Sequence, residues 1–165
     1  MPSALVWFRD DLRLNDQPAL QAALAQEYAP VPVYVHAPGE EAPWAPGAAS
    51  RAWLHRSLAA LAGELEARGS RLVLRSGDSG KALLDLQRAT GAEAVFCNNL
   101  YEPATIARDE RVFAALEGAG RAPELRALEA LVAELLEKDE REERLAPAIR
   151  VLGAHLQRRA VKGMP

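Results

Sequence analysis

The sequence predicts an α/β domain with an open parallel sheet, and three features of the chain point to it. Short apolar runs alternate with amphipathic stretches from Ala4 to about Gly118. Each stretch between two apolar runs is long enough for a helix, which is the crossover that parallel strands require. Glycine, proline and helix-capping residues stand at the junctions. We therefore expect a Rossmann-like sheet of four strands in the order 3-2-1-4, with room for a degenerate fifth strand, flanked by helices and followed by a helical C-terminal tail.

The first crossover lies between residues 4 and 36. Ala4–Phe8 is a continuous apolar run, as expected for a strand that is covered on both faces. Asp16 is predicted to cap the next helix, with Pro18 in its first turn. Val31–His36 is the predicted second strand, and its proline favours the beginning of the strand, where a missing N–H donor costs least.

The long second helix follows a loop rich in proline and glycine that contains Trp44. Ser50 is predicted to cap this helix, and Gly69 to end it. The helix should bury one apolar stripe, since four leucines recur at helical spacing: Leu54, Leu58, Leu61 and Leu65.

The remaining elements of the domain are two strands and two helices. Arg71–Arg75 is the predicted third strand, and Asp78 or Ser79 begins the helix that Gly91 breaks. Ala94–Cys97 is the predicted fourth strand. The last helix opens at Pro103, presents an apolar face and runs to Gly118.

The chain changes character after this helix, so we predict a domain over residues 1–120 and a helical tail over 121–165. The tail contains two apolar stripes at helical spacing, which are Leu125, Leu128, Val132 and Leu135, and then Leu145, Ile149, Leu152 and Leu156.

Composition excludes several classes of protein. A net charge of −3 and a pI near 5.7 argue against a dedicated nucleic-acid binder, so we expect no direct DNA binding by this chain. The single cysteine, Cys97, excludes an internal disulfide and is most simply a small core residue. The three histidines are scattered, which gives no metal-site spacing. No signal peptide or membrane span is evident, which predicts a cytoplasmic protein.

One short segment resembles a phosphate-binding loop. Ser76–Lys81 reads SGDSGK, but only two residues separate its glycines. Ala82 also stands where such a loop needs a hydroxyl group for Mg²⁺. A turn before a helix is the better interpretation.

The predicted ligand site lies where the winding of the sheet reverses, between the carboxyl ends of the first and fourth strands. The loops there are residues 9–13 and 98–102, and the loop after the second strand, with Trp44, would form a wall. Guanidinium groups, amides and carboxylates at this edge suit a planar, polar-edged ligand. We predict no catalytic residue and no metal ligand; the candidate ligand-binding residues are Arg9, Asp11, His36, Arg51, Asn98, Asn99 and Glu102. In the structural alternative, Arg9, Asp11 and Arg13 pair with one another and with Glu102 to hold the loops together.

Four segments of the chain closely resemble the opening domain of DNA photolyases and cryptochromes. They are LVWFRDDLRLNDQPAL (5–20), SRAWLHRSL (50–58), GSRL (69–72), and YEP (101–103) followed by ARD (107–109). In that family this α/β domain carries an antenna chromophore, and a larger helical domain binds FAD and splits pyrimidine dimers. The resemblance therefore implies a domain that binds a flavin or a deazaflavin. Folate is less favoured, because Thr105 stands where folate-using members have an acidic residue.

Residues 121–165 do not resemble the next part of the family, so we expect a shortened member without FAD and without light-driven repair activity of its own. A non-enzymatic interaction or scaffold domain is the alternative, in which the tail helices mediate self-association or bind a helical partner. A general nucleotide-binding domain is a third hypothesis. Light scattering and mass spectrometry of a co-purified ligand would distinguish the three.

Overall fold

The computed structural model describes residues 1–41 and 45–119 of the chain. This part contains a parallel sheet of four strands, which are β1 (Ser3–Phe8), β2 (Ala29–His36), β3 (Val73–Ser76) and β4 (Ala94–Cys97). The order across the sheet is β3-β2-β1-β4, which confirms the predicted order. The degenerate fifth strand and the helical tail were predicted for residues outside the described part.

Four helices flank the sheet, and a 3-10 turn (Pro38–Glu41) follows β2. The helices are α1 (Pro18–Ala25), α2 (Ala48–Glu66), α3 (Ser79–Thr90) and α4 (Pro103–Gly118). The sheet with helices around it confirms the α/β fold class. No helix in the described ranges is long and apolar enough to cross a membrane.

Strand β1 is one of the two interior strands, and it is buried on both faces. Its residues from Ala4 to Phe8 are all buried, and alternate side chains enter two different core clusters. Leu5 and Trp7 belong to the cluster that also contains residues of α3 and α4. Ala4, Val6 and Phe8 belong to the cluster that contains residues of α1 and α2. A strand that faces two cores needs a continuous apolar run, which is what the sequence shows.

Strand β2 begins at Ala29, before the predicted Val31, so Pro32 lies inside the strand and not at its start. The proline is tolerated because β3 pairs only with the later residues of β2, from Val33 onwards. Ahead of Val33, β2 is paired with β1 alone, and a missing N–H donor removes no ladder hydrogen bond on the β3 side. Strand β3 is likewise displaced from the prediction, since it runs from Val73 to Ser76.

Two predicted helix caps are wrong. The side chain of Gln17, not Asp16, accepts hydrogen bonds from the first backbone N–H groups of α1, while Asp16 takes a positive φ of 50° in the preceding turn. Helix α2 begins earlier than Ser50, with Gly47 at its N-cap and no side-chain cap. Asp78 caps α3 as predicted, and Gly91 ends that helix in the left-handed conformation.

Helix α2 buries less of its surface than its leucine stripe predicts. Only Leu61 and Leu65 are buried, while Leu54 and Leu58 in the first half are half-buried. Trp53 is 70% exposed and is not a core residue. The spacing of the leucines predicts which side of α2 is apolar. It does not predict how much of that side is covered by the rest of the protein.

Candidate functional site

The carboxyl ends of β1 and β4 lie side by side, as the predicted site requires. Trp7 of β1 is in register with Cys97 of β4, so the loops that follow leave the sheet at the same edge. These loops carry Arg9 and Asp11 on one side and Asn98 on the other. The winding of the sheet reverses between these two strands, which is where open α/β sheets place their ligands.

Arg9 is a buried ion-pair residue. Its side chain is 5% exposed, and its Nη1 donates to Oδ2 of Asp109 on α4 at 2.5 Å. Arg108 donates from Nε and Nη2 to the other oxygen of the same carboxylate, both at 3.0 Å. The carboxylate of Asp109 thus lies between two guanidinium groups and joins the end of β1 to α4.

The indole ring of Trp7 lies against both arginines. The Cζ atom of Arg9 is 4.9 Å from the ring centroid, and that of Arg108 is 5.2 Å from it. Buried cation–π contacts of this kind contribute about 2 kcal/mol each when the cation is desolvated. Trp7 is itself 2% exposed and belongs to the core.

In the part of the chain that the structure describes, one nitrogen of Arg9 is paired, and it bonds Asp109. Its Nε and Nη2 atoms are buried and have no hydrogen-bond partner among the described residues. These two N–H groups form one edge of the planar guanidinium, the edge that binds carboxylates and other paired acceptors in a bidentate way. Buried donors are nearly always paired, and no acceptor for this edge is present among the described residues.

Asn98 holds the first and fourth strand ends together. Its Oδ1 accepts from the backbone N–H of Ala19 in α1 at 3.1 Å, and its Nδ2 donates to Asp11 Oδ2 at 3.4 Å. Asp11 also accepts from Arg13 Nε at 2.8 Å. The sequence predicts, as an alternative, that Arg9, Asp11 and Arg13 pair to hold the loops together, and the pairing of Asp11 with Arg13 confirms that part of it. The same alternative is wrong for Arg9, which pairs with Asp109 instead.

The cavity between these loops is small. Its volume is about 20 Å³, close to the space that one water molecule needs, whereas small-molecule sites usually enclose hundreds of Å³. The residues that line it are Trp7, Arg9, Asp10, Asp11, Gln17, Asn98 and Leu100. Three of the seven predicted binding residues, Arg9, Asp11 and Asn98, are therefore brought together around one cavity.

The other four candidates do not line this cavity. His36 is half-buried at the end of β2, where its carbonyl accepts from Gly77, and Asn99 is half-buried. Arg51 is exposed at the start of α2 and donates from Nη1 to the carbonyl of Pro46 at 2.8 Å. Trp44, the predicted wall of the site, lies outside the described residues.

Glu102 is exposed and acts on its own helix. Hydrogen bonds from its own backbone N–H and then from the Thr105 hydroxyl lower the pKa of its carboxyl group. The Thr105 hydroxyl lies 3.2 Å from Oε2 of Glu102, within the first turn of α4. The alternative in which Glu102 pairs with the arginines of the loop is therefore wrong. Glu102 accepts a hydrogen bond from Thr105 in its own helix and forms no ion pair with Arg9 or Arg13.

A carboxylate occupies the N-terminus of α3, which agrees with our rejection of a phosphate loop there. Glu40, in the 3-10 turn, accepts from the backbone N–H of Ser79 at 2.8 Å and from its hydroxyl at 2.6 Å. Asp78 accepts from the backbone N–H of Lys81 at 2.7 Å. Two acidic side chains thus satisfy the first donors of the helix and complement the positive end of its dipole.

Replacing Ser79 with alanine is expected to lower the free energy of unfolding by about 1.5–3 kcal/mol, because its hydroxyl donates to a charged acceptor in a buried position. Urea unfolding followed by circular dichroism would measure the change. Thr105→Ala is the matched control, since that hydroxyl donates in an exposed position and should cost well below 1 kcal/mol. Equal losses of stability for the two substitutions would show that the hydrogen bond from Ser79 to Glu40 does not stabilise the fold.

Cys97 is buried under the cationic cluster, as its position at the end of a strand predicted. Burial raises the pKa of the Cys97 thiol from 9.0 to about 11, and Arg9 opposes the shift. The folded protein therefore holds this proton more tightly than the unfolded chain does. The stability that results is fully present below pH 9 and is lost as the pH rises from 9 to about 11.

We expect Cys97 to resist thiol reagents at pH 8 until the domain unfolds. Unfolding free energies at pH 8 and pH 10.5, compared between the native chain and Cys97→Ala, would isolate its contribution. The native chain should lose more stability than the variant over this range. Rapid labelling of the folded protein, or identical pH profiles, would contradict the expected burial of the thiol.

Sequence reasoning missed three residues that organise this region. Arg108 and Asp109 were noted only for the resemblance they carry, and Glu40 not at all. Asp109 gave a usable signal, because it precedes Val112 and Leu116 at i, i+3 and i+7 and so lies on the buried face of α4. A carboxylate on a buried helix face requires a cationic partner. Glu40 gave no such signal, since it belongs to a short turn far from Ser79 in sequence.

Comparison with known proteins reveals a consistent similarity. The profile of the DNA photolyase family matches residues 4–141. Cryptochrome-1 of Sinapis alba is 48% identical over 109 residues, which are 66% of this chain and 22% of that protein. A bacterial class III photolyase from Agrobacterium tumefaciens, whose crystal structure is known, is 41% identical with a TM-score of 0.67 and covers 74% of this chain.

An archaeal photolyase from Sulfolobus tokodaii, solved with two FAD molecules and described as implying a novel light-harvesting cofactor, is 28% identical with a TM-score of 0.63. It matches 70% of this chain and 27% of its own. The chain thus spans about a quarter of the length of each of these relatives.

Proposed function

This chain belongs to the DNA photolyase family, and on that premise we propose that its α/β domain is a light-collecting domain that binds a planar chromophore of the flavin or deazaflavin type. The proposed site is the carboxyl edge of the sheet between β1 and β4. Folate remains the less favoured ligand. A bound chromophore would supply the absorption of near-ultraviolet or blue light, and the protein would supply only binding and orientation.

The observation that carries this proposal is the unpaired edge of Arg9. The guanidinium of Arg9 is buried, with a side chain only 5% exposed, and one of its nitrogens bonds Asp109. Its two parallel N–H groups have no partner in the described part of the chain, and such a pair suits an acceptor with two adjacent polar atoms. The carbonyl and nitrogen atoms along the edge of a flavin-type ring have this arrangement. Asp11 and Asn98 stand beside Arg9 and offer both acceptor and donor atoms.

The polar groups fit such a ring, but the described cavity of about 20 Å³ does not hold it. Ligand entry therefore requires the loop side chains at the surface of the cavity, Asp10 and Leu100, to turn aside. Asp10 is exposed and Leu100 half-buried, so neither is fixed by the core. His36, Arg51, Asn99 and Glu102 would then surround the outer part of the ligand.

Arg51→Ala is expected to weaken the binding of FMN by about 1–3 kcal/mol, because Arg51 would contact the anionic part of the ligand. Its exposed position makes it a clean probe, since the substitution leaves the core intact. Arg56→Ala, an exposed arginine on the same helix, is the control and should leave affinity unchanged. Equilibrium dialysis or flavin fluorescence would measure both; equal affinities for the two variants would remove Arg51 from the site.

The activity of the longer relatives does not follow from this domain alone. The family resemblance assigns dimer splitting to a helical domain that binds FAD, and residues 4–118 resemble the antenna domain. We therefore expect these 165 residues by themselves to repair no pyrimidine dimers when FAD and light are supplied. Measurable dimer splitting under those conditions would refute this part of the proposal.

One observation favours the second candidate, a non-enzymatic interaction domain. Trp53 is 70% exposed on the first half of α2, a helix whose buried residues are confined to its second half. Large exposed aromatic side chains are typical of protein interfaces. Light scattering would test the idea: an oligomer that Trp53→Ser converts to a monomer would support it, and a native monomer would count against self-association. The tail helices predicted to take part lie outside the described residues.

A further inference from the structure

A larger cavity lies away from the switch point, between α3 and α4. We call it the α3–α4 groove; it is lined by Glu40, Asp78, Gly80, Lys81, Leu84, Asp85, Arg88, Arg108, Arg111, Val112 and Ala115. Its volume is about 340 Å³, and an adjoining cavity of about 420 Å³ shares Asp78, Lys81 and Asp85 with it. Volumes of this size are within the range of small-molecule sites, unlike the cavity beside Arg9.

The acidic groups of the groove are already engaged. Glu40 accepts two hydrogen bonds from Ser79, and Asp78 accepts from the backbone of Lys81. Asp85 lies 3.4 Å from Arg88, one turn further along α3. The negative charge of these carboxylates is thus partly offset by the N–H and O–H donors at the start of α3 and by the guanidinium of Arg88.

The cationic groups are less satisfied. The amine of Lys81 has no ion-pair partner among the described residues. Arg108, whose side chain is 8% exposed, directs Nε and Nη2 to Asp109, which leaves Nη1 as the donor available to the groove. Within the described ranges, Arg111 bonds only the carbonyl of Ala107 in its own helix, from Nε at 3.3 Å. Lys81 and Arg111 therefore bring to the groove positive charge that no carboxylate of the described part pairs with.

The floor of the groove is apolar and small. Leu84, Val112 and Ala115 line it, and Gly80 lies beside them. A Cβ atom at Gly80 would lie 3.8 Å from the Cα of Val112 and 3.9 Å from the Cβ of Ala115, in ordinary van der Waals contact. An apolar floor beneath convergent cations suits a ligand with an apolar body and an anionic group.

We propose that the α3–α4 groove binds a small organic anion, with a phosphate or carboxylate group between Lys81 and Arg108 and its apolar part on Leu84, Val112 and Ala115. This site is separate from the chromophore site at β1 and β4 and shares no lining residue with it. The two proposals therefore stand or fall independently. Arg108 touches the other region through Asp109, which holds Arg9 on its other oxygen, and through the ring of Trp7.

Isothermal titration calorimetry of the full chain with AMP, adenosine, inorganic phosphate and salicylate tests the proposal. If the anion is a phosphate ester, AMP binds at least about tenfold more tightly than adenosine or phosphate, as expected for a charged hydrogen bond combined with apolar contact. If it is a carboxylate, salicylate binds more tightly than AMP. In either case Lys81→Met and Arg111→Met each weaken the preferred probe by about tenfold, while Arg56→Met changes nothing.

Both probed side chains are exposed, so the variants should fold as the native chain does, which thermal unfolding would verify. Binding of AMP and salicylate no tighter than about 10 mM would overturn the proposal. Binding that Lys81→Met and Arg56→Met reduce equally would overturn it too, because the anion would then respond to net charge and not to the groove.

Discussion

Replacing Asp109 with alanine is expected to lower the free energy of unfolding by about 3–5 kcal/mol, which is a large part of the stability of a domain of this size. The carboxylate bridges Arg9 and Arg108, and all three side chains are at least nine-tenths buried. Without it, two guanidinium groups remain inside the protein with no counter-ion, and their desolvation is no longer offset. Denaturant unfolding followed by far-ultraviolet circular dichroism would measure the loss.

Asp11→Ala is the matched control for that experiment. Asp11 also pairs with an arginine, but the two side chains are 32% and 61% exposed, so the substitution should cost less than about 1 kcal/mol. A cost at Asp109 as small as that at Asp11 would contradict the buried cluster. Replacing Arg9, Arg108 and Asp109 together with apolar residues of similar size should recover much of the stability, because the penalty lies in the unpaired charge.

Leu116→Ala is expected to lower the free energy of unfolding by about 2–5 kcal/mol. Leu116 is fully buried and belongs to the core cluster between the sheet and the α3–α4 layer. Truncation removes apolar contacts and leaves a cavity beneath α4, the helix that carries Arg108 and Asp109. The same unfolding measurement reports the change.

The control for Leu116 has the same chemistry in a different environment. Leu24 on α1 is 53% exposed, so Leu24→Ala should cost well below the core substitution. Similar costs at the two positions would mean that α4 does not pack on the sheet as described. A loss of stability at Leu116 and not at Leu24 would support the packing of α4 on the sheet, which positions Arg108 and Asp109.

Periodicity predicted the fold well because each strand contains its own signal. The apolar runs of β1 and β4 are continuous since both strands are covered on both faces, and β4 lies where it was predicted. The boundaries of β2 and β3 were wrong by a few residues, because their ends depend on which neighbour pairs with them. The caps of α1 and α2 were wrong because Gln17 and Gly47 replace the commoner capping residues there.

The candidate site was harder to predict than the fold. The winding rule located the crevice, and Arg9, Asp11 and Asn98 meet there. The roles of these residues depend on tertiary contacts: the partner of Arg9 is one hundred positions away in Asp109. The domain boundary near residue 120, the tail helices and the cytoplasmic location stay predictions.

The absorbance spectrum of the purified chain between the near-ultraviolet and the blue tests the central claim most directly. The proposed light-collecting domain should show a chromophore band, either as purified or after addition of FMN and removal of the excess, and the band should be released when the protein is unfolded. A spectrum of protein alone, unchanged after incubation with FMN or a deazaflavin, would contradict the claim.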